Sequence, residues 1–253
     1  MSEYRFDTPM PVRLELKLAA GAVDVLSVVG TESTVTLDGP QKVVEEARVE
    51  LVGDRLIVEE RRKGFMGLFQ SIGEPLSVRV QVPHGSRVDA ATAASDLRLD
   101  GSFGAVSMAS ASGDLQLVGE LNGDADVKTA SGSVRVPRVA GDLKVKSVSG
   151  DITAEAVEGS VSVKSVSGDL YVGTVTRGKV EVHNVSGDVT LGIAPGSSVD
   201  VDAGSASGDL TSEIPLSSEA PAGEAGPTVV IRVQTVSGDL LVRRAVPAGA
   251  TSW

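Results

Sequence analysis

The residues of this chain whose types and spacing could support chemistry are six aspartates that each follow a Ser-Gly pair. They are Asp114, Asp151, Asp169, Asp188, Asp209 and Asp239. Carboxylates at one position of successive stacked repeats could bind Ca²⁺ between coils, as in nonapeptide β-rolls. However, Ca²⁺ takes about six to eight oxygen ligands, each repeat offers one carboxylate, and Ser133 replaces the aspartate in one copy. We therefore expect no bound metal, and expect each aspartate to accept a backbone N–H in its own turn.

Other reactive side chains do not form a recognisable catalytic pattern. His84 and His183 are the two histidines, and neither recurs beside a fixed carboxylate–serine pair, so a catalytic triad is not supported. The row of Lys128, Lys146, Lys164 and His183 is interpreted as a solvated face. A polar column is interpreted as corner hydrogen bonding: Ser110, Thr129, Ser147, Ser165, Asn184, Ser205 and Thr235. Cysteine is absent, and no glycine loop has the lysine of a phosphate site, so we expect no catalytic residue and no cofactor.

The elements that must position these side chains are repeats. The glycines of the recurring Ser-Gly phrase are Gly113, Gly132, Gly150, Gly168, Gly187, Gly208 and Gly238, and subtracting successive numbers gives 19, 18, 18, 19, 21 and 30. A near-constant period of this length indicates stacked repeats. Glycine suits the corners of such a stack because it adopts φ > 0 without a Cβ clash. These seven glycines, with Asp151, Asp169 and Asp188, are therefore predicted to be structural corners.

Each repeat divides into two nine-residue halves, because secondary glycines such as Gly123 and Gly141 lie between the main ones. Nine residues extend only about 30 Å, too little to go round a core, so one coil needs about 18 residues. Three apolar columns are then expected: Ile152–Leu170–Val189, Ala154–Val172–Leu191 and Val157–Val175. The prediction is an all-β fold, a right-handed single-stranded β-helix (β-solenoid) with N-terminal β-hairpins and one short helix.

The chain is predicted to be a single β-solenoid domain over residues 1–253. Residues 1–82 are assigned to N-terminal strands, a helix over 41–48 and a hairpin at Gly53-Asp54. Repeat coils are assigned to 83–245, with a loop at 212–227 inserted into one coil, and residues 246–253 form a tail.

One stretch, residues 61–73, differs from the rest. It begins with three basic residues and contains Phe65, Met66, Leu68 and Phe69. One interpretation is a cap over the open end of the stack. The other is a contact with a protein partner or a membrane surface, because basic residues beside exposed aromatics favour anionic interfaces.

Composition limits the partners. The 34 acidic and 23 basic residues give a net charge of −11, which argues against nucleic acid. The first nine residues lack the sections of a secretory signal, and no stretch reaches the ~18 apolar residues of a membrane span. We therefore expect a soluble cytoplasmic protein, with peripheral membrane contact as the only membrane role.

The chain resembles the bacterial toast-rack family, also called the putative-adhesin family. The resemblance rests on the segment 80–86, the hairpin at 53–58 and the recurring Val-Ser-Gly-Asp-Leu corners, and it covers roughly Phe6 to Arg243. It implies a right-handed single-stranded β-helix, often attached to membrane segments and linked to envelope-stress sensing, with no catalytic residues to carry over. The expected lack of a membrane anchor here favours a cytoplasmic scaffold.

The sequence thus favours a non-enzymatic β-repeat scaffold or protein-binding module with an unknown protein partner. Self-association is the first alternative, as a cytoskeleton-like β-helical polymer joined by edge pairing. A carbohydrate-binding or carbohydrate-active β-helix is the second. It requires paired acids and aromatic platforms, and aromatic residues make up only 3% of the chain.

Overall fold

The computed structural model describes residues 1–60, 75–214 and 227–245. The elements before the repeats are β1 (Ser2–Asp7), β2 (Arg13–Val28), β3 (Glu32–Asp38), α1 (Gln41–Glu46), β4 (Arg48–Val52), β5 (Arg55–Glu59) and β6 (Leu76–Pro83). The next strands are β7 (Arg87–Phe103), β8 (Val106–Ser112), β9 (Leu115–Leu121), β10 (Ala125–Ser131), β11 (Val134–Val139), β12 (Leu143–Ser149) and β13 (Ile152–Val157). The last strands are β14 (Val161–Lys164), β15 (Leu170–Val175), β16 (Gly178–Ser186), β17 (Val189–Ile193), β18 (Ser198–Ser207), β19 (Leu210–Ser212), β20 (Thr228–Ser237) and β21 (Leu240–Arg244).

Strands form because apolar and polar residues alternate along most of the chain. In β2, Leu14 and Leu16 are buried while Arg13 and Lys17 are exposed. Val, Leu and Ile dominate one continuous core that extends from Val12 to Val242. The interior is therefore a thin layer of aliphatic side chains between two sheet faces, as the scarcity of aromatic residues predicts.

Two parallel ladders make up the faces of a β-solenoid. Ladder A has the order β4, β5, β2, β7, β8, β10, β12, β14, β16, β20, β18, and only its β4–β5 pair is antiparallel. Ladder B has the order β1, β3, β6, β2, β7, β9, β11, β13, β15, β17, β21, β19, and only β1–β3 and β3–β6 are antiparallel.

The register confirms the predicted coil of about 18 residues. Ile152 pairs with Leu170, and Leu170 pairs with Val189. The other two predicted columns also align, since Ala154 pairs with Val172 and Val157 with Val175.

The coils begin earlier than residue 83, where the sequence analysis places the first repeat. β2 belongs to both ladders, because its first half pairs with Arg87–Thr92 and its second half with residues 94–100 of β7. It turns the corner at Gly21, which has φ = +131°, without a Ser-Gly-Asp phrase. A full coil can thus form wherever glycine allows the corner and the apolar alternation continues on both sides.

The coils at the C-terminal end are not stacked in chain order. β20 pairs with β16 on one side and with β18 on the other, and β21 lies in the same way between β17 and β19. The later coil, 228–244, therefore lies between the earlier coil, 198–212, and the rest of the stack. This corrects the prediction that 212–227 is a loop within one coil, because the segment connects two complete coils that have exchanged places.

The N-terminal end has the same kind of exchange, followed by a cap. The coil of β5 and β6 lies outside β2, although β2 precedes it in the chain. Antiparallel strands then extend both ladders, with β3 and β1 beyond β6 and β4 beyond β5. The helix α1 packs Val44 into the core and ends at Glu46, two residues before the predicted end. Within the described ranges, no helix is long and apolar enough to cross a membrane.

Candidate functional site

The corner glycines stack directly on one another. Gly113, Gly132, Gly150, Gly168, Gly187, Gly208 and Gly238 all have φ between +113° and +150°. A β-carbon on Gly150 would overlap the carbonyl oxygen of Gly132 in the neighbouring coil, and the same relation holds along the column. The positions lack room for a side chain, so they form a tight edge and do not offer a binding cleft.

The corner aspartates connect neighbouring coils. Oδ1 of Asp151 accepts the backbone N–H of Asp169 at 3.0 Å, and Oδ1 of Asp169 accepts that of Asp188 at 2.9 Å. The expectation that each aspartate bonds within its own turn is therefore wrong, because the N–H that it accepts belongs to the next coil. In the part of the chain that the structure describes, no group of three or more His, Cys, Asp or Glu side chains could hold a metal ion.

The polar column before each corner bonds to backbone carbonyls. Ser110 donates to the carbonyl of Ser112 at 2.8 Å, Thr129 to that of Ser131 at 3.0 Å, and Asn184 to that of Gly187 at 3.0 Å. These side chains are buried, so their hydroxyl and amide groups satisfy the corner and are not available as nucleophiles.

The two histidines lie in unrelated environments. Nδ1 of His84 is 2.8 Å from the Ser27 hydroxyl beside the N-terminal coils. His183 is in β16, with Nε2 3.2 Å from Glu181 Oε1. Hydrogen bonding by the Lys179 ammonium, followed by that of His183, lowers the pKa of Glu181 to about 2. Glu181 is therefore ionised at neutral pH and forms part of a surface ion cluster.

The outer face of ladder A has a basic row, which consists of Lys128, Lys146, Lys164 and His183. The register places these four side chains directly beside one another in β10, β12, β14 and β16. Lys128 is 3.7 Å from Asp126, but Lys146 and Lys164 have no ion-pair partner among the described residues. Like charges in directly adjacent strands repel, so this row attracts anionic groups.

An apolar row runs parallel to the basic row, two residues further along each strand. It consists of Ala111, Ala130, Val148, Val166, Val185 and Val236. The four valines are 53%, 47%, 45% and 54% exposed, respectively. A continuous line of half-exposed aliphatic side chains is the kind of apolar patch that interaction surfaces have.

A shallow trough of about 700 Å³ lies where the two rows approach the N-terminal coils. Alanine side chains form its floor because they project little from the sheet, and Lys128 and Lys146 stand at its side. The lining residues are Leu18, Ala91, Thr92, Ala93, Ala109, Ser110, Ala111, Lys128, Thr129, Ala130, Lys146, Ser147 and Val148.

The same face is charge-paired nearer the N-terminus. Nε of Arg13 is 2.6 Å from Asp89 Oδ2, and Nη2 of Arg55 is 2.8 Å from Glu15 Oε2. The Arg55 hydrogen bond lowers the pKa of Glu15. Lys146 and Lys164 differ from these two arginines, because no ion pair neutralises them among the described residues.

The repeat spacing predicts the basic row, which the sequence analysis above interprets as a solvated face. The apolar row is not among the predicted features. The signal was present, because an alanine or valine precedes every Ser-Gly corner from Ala111 to Val236. The predicted contact residues Phe65, Met66, Leu68 and Phe69 lie outside the described residues, so their role stays a prediction. Glu60, the last described residue before them, donates its N–H to the Lys17 carbonyl at 2.9 Å, next to Leu18 of the trough.

Comparison with known proteins gives a family and a fold. The family model Toastrack DUF4097 matches residues 14–243. A solved structure of a "putative adhesin" from Bacteroides fragilis NCTC 9343 is similar, with 12% identity, a TM-score of 0.56 and 96% of each chain covered. A "putative lipid binding protein" from Parabacteroides distasonis ATCC 8503 has 9% identity and a TM-score of 0.52, with 97% of this chain and 94% of that chain covered. No curated protein matches.

Proposed function

Since this chain belongs to the Toastrack DUF4097 family, we propose that it is a non-enzymatic scaffold that binds a protein partner through the outer face of ladder A. The names of the two structural neighbours are those of an adhesin and a lipid-binding protein. Both names describe binding and neither describes catalysis, which supports a binding role. The cytoplasmic location expected from the sequence is part of this proposal and is tested by cell fractionation.

The proposal rests on one observation: lysines without ion-pair partners lie beside exposed apolar side chains. Lys146 and Lys164 lack ion-pair partners in the described ranges, and Val148 and Val166 are about half exposed beside them. The protein has a net charge of −11, yet it concentrates cations at this site. Apolar burial supplies affinity to an interface, and complementary charge supplies orientation and partner choice.

The test is affinity capture from the native source with matched variants. Lys146→Glu/Lys164→Glu reverses the basic row and lowers the net charge by four. Arg135→Glu/Arg138→Glu makes the same change on β11 of ladder B. We expect the first variant to lose the partner and the second to retain it. The unfolding midpoint should be unchanged for the first and slightly lower for the second, because Arg138→Glu removes the Arg138–Glu120 ion pair. Retention of the partner by the first variant, or equal loss by both, contradicts the proposal.

A further inference from the structure

We infer that the segment of the partner that binds here is an amphipathic α-helix, acidic along one side of its apolar stripe, that lies along the solenoid axis. Its apolar stripe packs on the apolar row and its carboxylates face the basic row. This inference rests on the proposed function and specifies the chemistry and shape of the partner.

The spacing of the two rows matches the turns of an α-helix. Both rows run across the strands, so their side chains are separated by the interstrand distance of ~4.8 Å. From Lys128 to His183 there are three such steps, or about 14 Å. Three turns of an α-helix rise about 16 Å, which is about 2 Å more than the length of the basic row. A helix with one carboxylate per turn can therefore place each carboxylate opposite one basic side chain, because the long lysine side chains can adjust to this difference.

An extended peptide does not match this spacing. Side chains on one side of a strand recur every ~6.6 Å, so three repeats span about 20 Å. This exceeds the length of the basic row by more than the ~4.8 Å step between two coils. An extended peptide also gains nothing from backbone pairing here, because β10, β12, β14 and β16 each already pair with a strand on both sides. The row geometry therefore favours a helix over a strand.

The order of charges across the face also favours one kind of helix in one direction. In the strand and corner around Val148, Lys146 comes two residues before it and Asp151 three residues after it. The apolar row thus lies between a basic row and the corner aspartates. A helix with acidic residues on one side of its apolar stripe and basic residues on the other fits this order in one direction only, so the face selects both charge and orientation.

The length of the rows sets the size of the helix. Ala130, Val148, Val185 and Val236 lie in β10, β12, β16 and β20, and Val166 lies two residues after the end of β14, where Ser167 bridges to Ser149 and Ser186. These five strands are consecutive in ladder A. Four steps of ~4.8 Å span about 19 Å, which corresponds to a helix of about 13 residues.

The test is fluorescence anisotropy with a labelled synthetic peptide of about 20 residues, long enough to be partly helical in water. It has a leucine stripe, glutamates on one side of the stripe and lysines on the other. We expect it to bind, to gain helical circular dichroism on binding, and to weaken with rising salt. Lys146→Glu/Lys164→Glu should reduce the affinity roughly tenfold or more. Val148→Asp/Val166→Asp should also reduce it, and Arg135→Glu/Arg138→Glu should leave it unchanged.

Two control probes separate this inference from its rivals. A peptide of the same composition, scrambled to remove the stripe, tests bare charge attraction, and equal binding by it overturns the inference. Vesicles containing phosphatidylglycerol test a lipid surface. Binding of vesicles but not of the helix, through Lys146 and Lys164, overturns the inference in favour of an anionic lipid. If the helix fails to bind while the Lys146→Glu/Lys164→Glu variant still loses its captured partner, the helical inference fails and the proposed function stands.

Discussion

The corner glycines have two independent requirements at the scale of single residues. Gly150 has φ = +118°, a region that L-residues with a β-carbon rarely adopt. The carbonyl oxygen of Gly132 also occupies the space of a β-carbon at this position. The recurring phrase in the sequence predicts the first requirement, since a turn of this kind favours glycine. The second requirement depends on how closely the coils stack.

Replacement of one corner glycine tests both requirements. We expect Gly150→Ala to lower the free energy of unfolding by about 2 kcal/mol or more, because it adds backbone strain and a steric overlap with the next coil. Gly204→Ala is the matched control, since Gly204 lies in β18 with no atom within 4 Å of a β-carbon. Urea unfolding measures both variants, and an equally small effect for both would contradict this account of the corner.

The corner aspartates also act at the scale of single residues. Each carboxylate that accepts the N–H of the next coil compensates the repulsion between neighbouring carboxylates, which is only about 1 kcal/mol in water. The sequence correctly predicts a hydrogen-bonding role, but not which N–H is accepted. The turn that contains the aspartate and the adjacent coil both offer an N–H donor, and the stacking geometry decides between them.

An amide can replace this acceptor, whereas a methyl group cannot. We expect Asp169→Asn to stay within about 0.5 kcal/mol of wild type, because its side-chain oxygen can still accept the Asp188 N–H. Asp169→Ala should lose about 1–2 kcal/mol. The unfolding midpoint of the wild-type protein should be the same in Ca²⁺ and in chelator. A midpoint that rises with Ca²⁺ would instead assign the column to metal binding.

At the scale of elements, the periodic pattern predicts the coils but not their order. Val180 and Val182, Ile231 and Val233, and Val199 and Val201 offer similar aliphatic pairs, so any order of these coils buries apolar side chains. The coils differ in the number of large aliphatic residues that they contain. β20 contains five valine or isoleucine residues, Val229, Val230, Ile231, Val233 and Val236, whereas β18 contains only Val199 and Val201. The less apolar coil is outermost.

Amide hydrogen exchange distinguishes the observed order from stacking in chain order. We expect the amides of 229–236 in β20 to exchange more slowly than those of 199–206 in β18, because β20 pairs with a strand on both sides and β18 pairs only with β20 in the described residues. Stacking in chain order would place β20 at the edge and reverse the ranking.

The interior columns also act as elements, because each side chain supports the coil on either side of it. Leu170 is 3% exposed between Ile152 and Val189. Leu170→Asp should destabilise the protein by about 4 kcal/mol or more, since a buried carboxylate has no partner. Val166→Asp, at an outward position four residues earlier, should fold normally. Circular dichroism during thermal unfolding compares the two, and a native midpoint for Leu170→Asp would show that the column tolerates charge.

At the scale of the whole molecule, the two ends of the stack differ. Antiparallel strands extend the N-terminal end, so no parallel coil is open there within the described ranges. At the C-terminal end, β18 and β19 are the outermost described strands, and Asp200 and Asp202 are exposed along β18. Charges on an edge strand discourage pairing with another chain.

Head-to-tail polymerisation by coil stacking would have to pair β18, with its exposed Asp200 and Asp202, with the antiparallel strands at the other end, which makes it unfavourable. We expect light scattering over a dilution series to show no particle larger than a dimer. Growth of filaments with concentration would contradict this expectation and support the self-assembly alternative.

The candidate face is also a property of the whole molecule, and the sequence predicts only part of it. The spacing alone aligns the lysines. Recognition of the apolar row additionally requires knowing that the residue before each Ser-Gly corner faces outward. Side-chain alternation becomes ambiguous at a corner, where a glycine with positive φ changes the direction of the chain, so Val148 could have been assigned to either side.

The exchanged coils at the C-terminal end have a consequence for biosynthesis. Residues 198–212 are made before 228–244, yet among the described residues their strands β18 and β19 pair only with β20 and β21 of that later coil. The earlier coil therefore has no native neighbour until the later one has been translated. A ribosome that stops between the two would release a chain with the strand edges of β16 and β17 exposed, and such a product is a ready substrate for proteases.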